Sequence, residues 1–176
     1  MKTLVLIFHP DIEQSVINKR WKKELEKSPE KYFVRNLYEI YPDEKIDVSI
    51  EQKIIEDFDK IVFQFPIYWF NCPPFFKKYL DEVLTYGWAY GSESGYKVSS
   101  KKIGFAVTAG ISEEDYSAEG RYKYTLNELL KPFELTVNYI RAEYKSFFAY
   151  YDIELNSTEE WIENSISPFL HYVNSL

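Results

Sequence analysis

The sequence predicts an α/β fold in which five parallel strands form one doubly wound sheet, ordered 2-1-3-4-5. The apolar runs Thr3-Leu-Val-Leu-Ile-Phe8, Lys60-Ile-Val-Phe-Gln-Phe65 and Lys102-Ile-Gly-Phe-Ala-Val107 lack polar alternation, so they read as strands buried on both faces. Between the strands lie segments whose apolar residues recur at the period of an amphipathic helix. No internal repeat divides the chain, and its 176 residues fit a single domain spanning 1–176, within the usual range of roughly 100–200.

The first strand, Thr3–Phe8, leads into a loop from His9 to Gln14. A helix starts near Ser15, with Ile17, Trp21 and Leu25 on one face and Lys19, Arg20, Lys22 and Lys23 outside. Neither the glycine-rich dinucleotide fingerprint nor the Walker lysine is present. What remains is a helix N-terminus with a hydroxyl beside it. Its free amides and dipole suit a phosphate, while Ser15 would serve equally well as an ordinary cap. The residues alone leave these two readings level.

Ser28-Pro29 breaks the chain before a second strand, Tyr32–Leu37. Residues 38–50 read as a loop, and Gln52–Phe58 as a short helix before the Lys60 strand. Pro66 ends that strand's ladder because it has no N–H. Asn71 is the expected cap of the next helix, with Pro73-Pro74 at its first positions. Phe75, Phe76, Tyr79, Leu80, Val83 and Leu84 form its apolar face. A strand end, an aromatic loop and a helix start make one edge of a ligand crevice in such sheets. Tyr86–Gly91 is a bend of aromatics and small residues, either a contact surface or a loop folded on its own core. Ser92–Ser100 is polar and expected to be mobile.

The fourth strand ends in Thr108-Ala109-Gly110-Ile111. A helix over Thr125–Phe133 turns Leu126, Leu129, Leu130 and Phe133 inward, and Thr136–Ile140 is read as the fifth strand. Ser157-x-x-Glu160 has the capping-box pattern and opens a last helix that Pro168 should kink or interrupt.

Twenty-one Lys and Arg against 28 Asp and Glu give a net charge of −7, which argues against nucleic-acid or anionic-membrane binding. A local basic site for a dinucleotide phosphate remains compatible with it. No apolar stretch approaches the ~20 residues of a membrane span, and charge rather than a cleavage site follows the first strand. A cytoplasmic protein is expected. Cys72 is the sole cysteine, so an internal disulfide is excluded and a buried structural thiol is the simpler reading. The 16 Tyr, 13 Phe and 4 Trp suit either a pocket for flat substrates or core and interface packing. His9 and His171 are the only histidines; no metal-ligand spacing and no Gly-x-Ser-x-Gly elbow occurs. These absences favour chemistry carried by a cofactor, without a metal.

Phe65-Pro-Ile-Tyr-Trp-Phe70, Pro73-Pro-Phe-Phe-Lys77 and the block from Asp81 to Gly91 resemble the NAD(P)H:quinone oxidoreductases of the flavodoxin-like fold. Within that family the chain is most similar to the ancillary flavoproteins of glutathione-gated potassium efflux systems. His9-Pro10, Ser15-Val-Ile-Asn-Lys-Arg20, and Leu37-Tyr38 followed by Tyr41-Pro42-Asp43 and Ile46-Asp47 carry that closer likeness. The resemblance implies FMN as cofactor, with FAD as the alternative, and hydride transfer from NAD(P)H through the flavin to a quinone-like acceptor. It assigns the phosphate to Ser15, Val16, Ile17 and Asn18, with His9 packing against the cofactor or donating to it. Pro66, Ile67, Tyr68, Trp69 and Phe70 would hold another part of it. Amides of Thr108, Ala109, Gly110 and Ile111 would meet the pyrimidine end, although Ala109 and Ile111 depart from the family's Thr-Thr-Gly-Gly.

The family also places a tyrosine and a histidine six residues apart over the flavin. Here the pair is Tyr116 and Tyr122, with Tyr122 at the histidine's place or, in the plainer reading, packed at the start of the next helix. The aromatics of Tyr86–Gly91 are implied to line the active site, reaching that of the partner in a homodimer, and the 38–50 excursion to pack at the subunit interface. The alternative implied function is a regulatory ancillary subunit contacting a potassium efflux antiporter. A simple electron carrier is disfavoured by the Tyr86–Gly91 block.

Overall fold

The computed structural model describes residues 2–92 and 95–176. Strands β1 (Thr3–Ile7), β2 (Tyr32–Asn36), β3 (Lys60–Pro66), β4 (Lys102–Thr108) and β5 (Glu143–Tyr150) form one parallel sheet in the order β2-β1-β3-β4-β5. The connecting helices are α1 (Ile17–Glu26), α2 (Leu37–Ile40), α3 (Val48–Glu56), α4 (Pro74–Val83), α5 (Leu126–Leu129), α6 (Lys131–Tyr139), α7 (Glu159–Asn164) and α8 (Ile166–Ser175).

Strand periodicity sorts the core into two layers. Leu4, Leu6, Phe8, Ile61, Phe63, Phe65, Ile103, Phe105 and Val107 pack toward α3, α4 and α6. Val5, Ile7, Val62 and Ala106 face α1 and α8. Both layers are aromatic. Phe76 and Phe133 stack at 5.6 Å on the first face, and Trp21 and Phe169 stack at 4.2 Å on the second. Trp21 buries its polar edge at no cost, because Nε1 donates to Ser165 Oγ at 2.9 Å. Glu51 of α3 is fully buried and satisfied by the Arg35 ion pair and by the hydroxyls of Tyr41 (2.7 Å) and Tyr79 (3.0 Å).

Several elements depart from the sequence reading. Thr136–Ile140 is the end of α6 and its cap, and the fifth strand is Glu143–Tyr150. The β-branched residues there suggested a strand, but Leu130, Phe133, Val137 and Ile140 are buried at helical spacing against the sheet. The predicted Thr125–Phe133 helix is split into α5 and α6, with Thr125 and Glu128 forming a capping box. The 38–50 segment holds most of α2 and the start of α3, which Asp47 caps by accepting from Ile50 N–H at 3.1 Å. Asn71 does not cap α4; its side chain accepts from Cys72 N–H, and Pro73 stands at the cap. The last cap is Thr158 rather than Ser157. The helix is interrupted at Ser165, so Pro168 falls in the first turn of α8, where its missing N–H costs nothing. Of the segment expected to be mobile, Glu93 and Ser94 lie outside the described residues, and Val98 is anchored in the core.

The β4–β5 edge carries a bulge. Ile103 pairs with Tyr144 but Phe105 with Phe147, so Lys145 and Ser146 together oppose Gly104. Tyr172 of α8 repairs the ladder: its hydroxyl accepts from Phe105 N–H at 2.8 Å and donates to Ser146 O at 3.0 Å. A Cβ on Gly104 would stand 2.1 Å from that oxygen. Gly104→Ala should therefore destabilise the fold by about 1–3 kcal/mol, and Tyr172→Phe by a similar amount, since it strands two backbone groups. Chemical denaturation midpoints check both; an unchanged midpoint for either would show the bulge to be self-sufficient.

Candidate functional site

The loops following β1, β3 and β4 meet at the carboxyl edge of the sheet, beside the point where strand order reverses between β1 and β3. After β1 the chain makes one 3-10 turn, Ile12–Gln14, and enters α1. Ser15 Oγ accepts from Asn18 N–H at 3.1 Å, while the N–H groups of Val16 and Ile17 donate to no described residue. Ser15 thus caps the helix and still leaves free donors for an anion. His9 Nδ1 accepts from Asp11 N–H at 3.2 Å, which leaves the proton on Nε2. Burial lowers its pKa, against the opposing charge of Asp11, so His9 lines the site as a neutral donor.

Asn18 is itself buried, and its role is to tie elements together. Its Nδ2 donates to Thr108 Oγ1 at 2.9 Å, and Gln64 Nε2 donates to Asn18 O at 3.2 Å and Oδ1 at 3.1 Å. Gln64 was missed in the sequence reading, where it passed as one residue of a strand; the usable signal was a polar side chain inside an otherwise apolar run. Its Oε1 is buried with no partner among the described residues.

After β3, Tyr68 and Asn71 exchange backbone hydrogen bonds of 2.8 and 2.9 Å around Trp69 and Phe70. Both central residues have positive φ, 47° and 62°, the pattern of a type I′ turn that normally takes Asn and Gly. Two bulky residues held in the left-handed region mark stored strain, and such strain concentrates at functional sites. Trp69 is 93% exposed, so its own side-chain packing does not compensate. The N–H groups of both residues donate to no described residue.

The third loop is laced to the chain after β5. Ala109 N–H donates to Tyr150 O, Ile153 N–H to Ala109 O, Glu154 N–H to Gly110 O and Asp152 N–H to Ile111 O, at 2.9 to 3.3 Å. Ala109 is consequently buried with its amide used, and the amides of Gly110 and Ile111 donate to no described residue. Neither Ala109 nor Ile111 has positive φ, so the loop needs no glycine at those positions.

Together the loops enclose a trough with two compartments. One, of about 310 Å³, is lined by His9, Ser15, Val16, Asn18, Pro66 and Thr108 among others. The second, of about 500 Å³, is walled by Trp69, Phe70, Ile111, Tyr116 and Tyr122. Ile67, Tyr68, Gly110 and Glu154 line both, so they form one continuous site. Of the sequence-predicted residues, Ile17 and Ala109 bury their side chains outside the lining. Glu154, which had not been singled out, lies at the junction. Tyr116 and Tyr122 do come together, ring centroids 5.2 Å apart, with Phe70 edge-on to Tyr122 at 4.9 Å. Burial first, then the neighbouring Tyr122, Glu154 and Asp115, pushes the Tyr116 phenol above its ordinary pKa, so it remains a donor. The Tyr86–Gly91 aromatics do not line the trough of their own chain. Tyr86 is exposed, Trp88 Nε1 donates to Glu56, and Tyr90 lines a separate groove between α4 and α6. Cys72 also borders that groove, its thiol pushed up to about 11 by burial, as expected of an unreactive thiol.

The doubly wound sheet thus carries an anion-receptive helix start with an aromatic compartment beside it, the arrangement of a flavodoxin-like domain. The chain belongs to the family described as flavodoxin-like fold, whose model matches residues 1–169. It is 41% identical over 175 residues to the uncharacterized NAD(P)H oxidoreductase YrkL of Bacillus subtilis (strain 168), covering 99% of both chains. It is 34% identical over 177 residues to the glutathione-regulated potassium-efflux system ancillary protein KefG of Cronobacter sakazakii (strain ATCC BAA-894), covering 95% of each. The crystal structure of general stress protein 14 from Treponema denticola, a complex with FMN, superposes with a TM-score of 0.93 at 43% identity over 99% of each chain. Among the described residues no group of metal-ligating side chains gathers, and no helix is long and apolar enough to cross a membrane.

The strained turn yields a direct test. Trp69→Gly removes a left-handed L-residue without losing packing, so it should raise stability by about 1 kcal/mol in guanidinium denaturation. A fall in stability would mean that the indole, though exposed, holds the turn in place.

Proposed function

We propose that the chain is an FMN-dependent NAD(P)H oxidoreductase acting on a quinone-type acceptor. The observation that carries this reading is a set of backbone donors that pair with no described residue, Val16 and Ile17 at one end of the trough and Trp69, Phe70, Gly110 and Ile111 along it. Such a set suits a ligand with a phosphate at one end and a flat, hydrogen-bonding ring at the other. The FMN complex of the Treponema denticola relative and the oxidoreductase name of YrkL support the same assignment.

Bound in the trough, FMN would supply the hydride chemistry between a nicotinamide and its acceptor. The first-turn amides and dipole of α1 would hold the phosphate, with neutral His9 adding a donor rather than a charge. Asn18 and Gln64 keep that helix start fixed against β3 and β4. The amides of Gly110 and Ile111 are preorganised donors for negative charge on the ring's pyrimidine edge. Tyr116 and Tyr122 line the aromatic compartment, where their hydroxyls can donate hydrogen bonds. A phenol is a poorer proton shuttle near neutrality than an imidazole, so Tyr122 would orient more than it transfers.

The second compartment is open to solvent, and Trp69 (93%), Tyr86 (63%) and Tyr139 (68%) present exposed rings. These support a homodimer in which a second copy covers the trough and receives Tyr86 near it. The relation to KefG supports a second reading, peripheral contact with a potassium efflux antiporter, which is compatible with turnover.

Purified protein should be yellow, release FMN on heating, and oxidise NAD(P)H with a simple quinone; FAD by mass, or a colourless inactive protein, would overturn the reading. Tyr122→Phe should slow flavin reduction in stopped flow by roughly ten-fold or less at unchanged flavin content. An unchanged rate would return Tyr122 to packing. Light scattering should give a dimer, and an active monomer at assay concentration would rule out the shared site.

A further inference from the structure

We propose that Glu154 sets the charge selectivity of the acceptor compartment, favouring neutral or cationic ring acceptors over sulfonated or carboxylated ones. The inference rests on the flavoenzyme reading above and names the substrate class of that site.

Among the described residues, Glu154 is the only acidic or basic one lining the aromatic compartment, whose other walls are isoleucine, glycine and aromatic rings. It also lines the phosphate compartment, so it stands where the two meet. Its placement is fixed by the fold. Its N–H donates to Gly110 O at 2.9 Å, and Leu155 N–H and Asn156 N–H both donate to Asp152 O, closing the turn behind it. The Glu154 side chain packs over Gly110: a Cβ there would meet Glu154 Oε1 at 2.6 Å. Glycine at 110 therefore makes room for this side chain as well as for a ligand. No cation pairs with Glu154 among the described residues, and Arg121 stands over the Tyr122 ring, outside the lining. The field of Glu154 reaches the compartment, since its charge is among those that raise the Tyr116 phenol after burial and Tyr122.

Glu154 is exposed to solvent, so its unpaired carboxylate repels an anionic substituent at contact distance through a field that salt screens. It attracts or ignores a neutral ring. The same charge opposes build-up of negative charge in the trough, so it should also hold the potential of bound flavin down.

The test compares menadione with 1,4-naphthoquinone-2-sulfonate, rings alike in size that differ in charge. In the wild type, kcat/KM should favour menadione, and added salt should narrow the preference. In Glu154→Gln the preference should fall about five-fold or more, and the sulfonate's Kd for the oxidised flavoprotein, read by flavin fluorescence, should tighten. The flavin midpoint potential should rise in the variant. An unchanged preference and potential in a flavin-loaded, active Glu154→Gln protein would overturn the inference and leave the oxidoreductase reading standing. A wild-type preference insensitive to salt would also count against it, without any variant. Wild-type protein that binds no flavin and reduces neither quinone would sink both.

Discussion

Near the ends of β3 and β4, two buried amide side chains tie both strands to the start of α1: Gln64 holds Asn18, and Asn18 holds Thr108. Each group lies in an otherwise apolar interior, where an unmet donor or acceptor costs about 1–3 kcal/mol. The start of α1 therefore cannot drift from the carboxyl edge of the sheet without stranding them. Asn18 sits in the first turn of that helix, so the tie fixes the direction in which its free N–H groups are offered. The site is positioned by the core rather than by its own loops.

The loops add backbone rather than side-chain chemistry. The β3 loop turns through two left-handed aromatic residues, and the β4 loop is laced to the segment after β5. Both loops offer N–H groups that pair with no described residue, Trp69 and Phe70 in the first and Gly110 and Ile111 in the second. A site built this way tolerates side-chain change, which is why Ala109 and Ile111 can stand in a loop that the family often fills with threonine and glycine. Ala109 turns into the core and Ile111 adopts ordinary backbone. The strain of Trp69 and Phe70 has to be offset elsewhere, and the apolar face of α4, anchored by Phe75, Phe76 and Tyr79, supplies the rigid base directly after it.

Electrostatics in the trough run opposite to a simple picture of a negatively charged ligand meeting cations. Among the described residues no lysine or arginine lines the compartment at the helix start, His9 is held neutral by burial, and Glu154 is acidic. Attraction for an anion would come from oriented amides and the α1 dipole, which keep their sign at every pH. The basic residues Lys19 and Arg20 are instead paired with Glu13, Glu24 and Glu163 on the outer face.

Much of the architecture was legible in the chain itself. The runs at β1, β3 and β4 are apolar because both faces are covered, and α4 shows its helical period and its prolines, so local pattern and tertiary environment coincide. The block from Phe65 to Gly91 carried the family. Local pattern misled where two signals competed: β-branched Thr136, Val137 and Ile140 looked like a strand, yet packing against the sheet selected the helix, and the edge strand β5 was hidden by its half-exposure. What only the tertiary structure could decide were relations between residues far apart in sequence. Gln64 meets Asn18 across 46 positions and Asn18 meets Thr108 across 90, while Glu154 is laid over Gly110 by a lacing that begins after the last strand. Such contacts leave no period and no short motif, because the sheet alone brings their partners together.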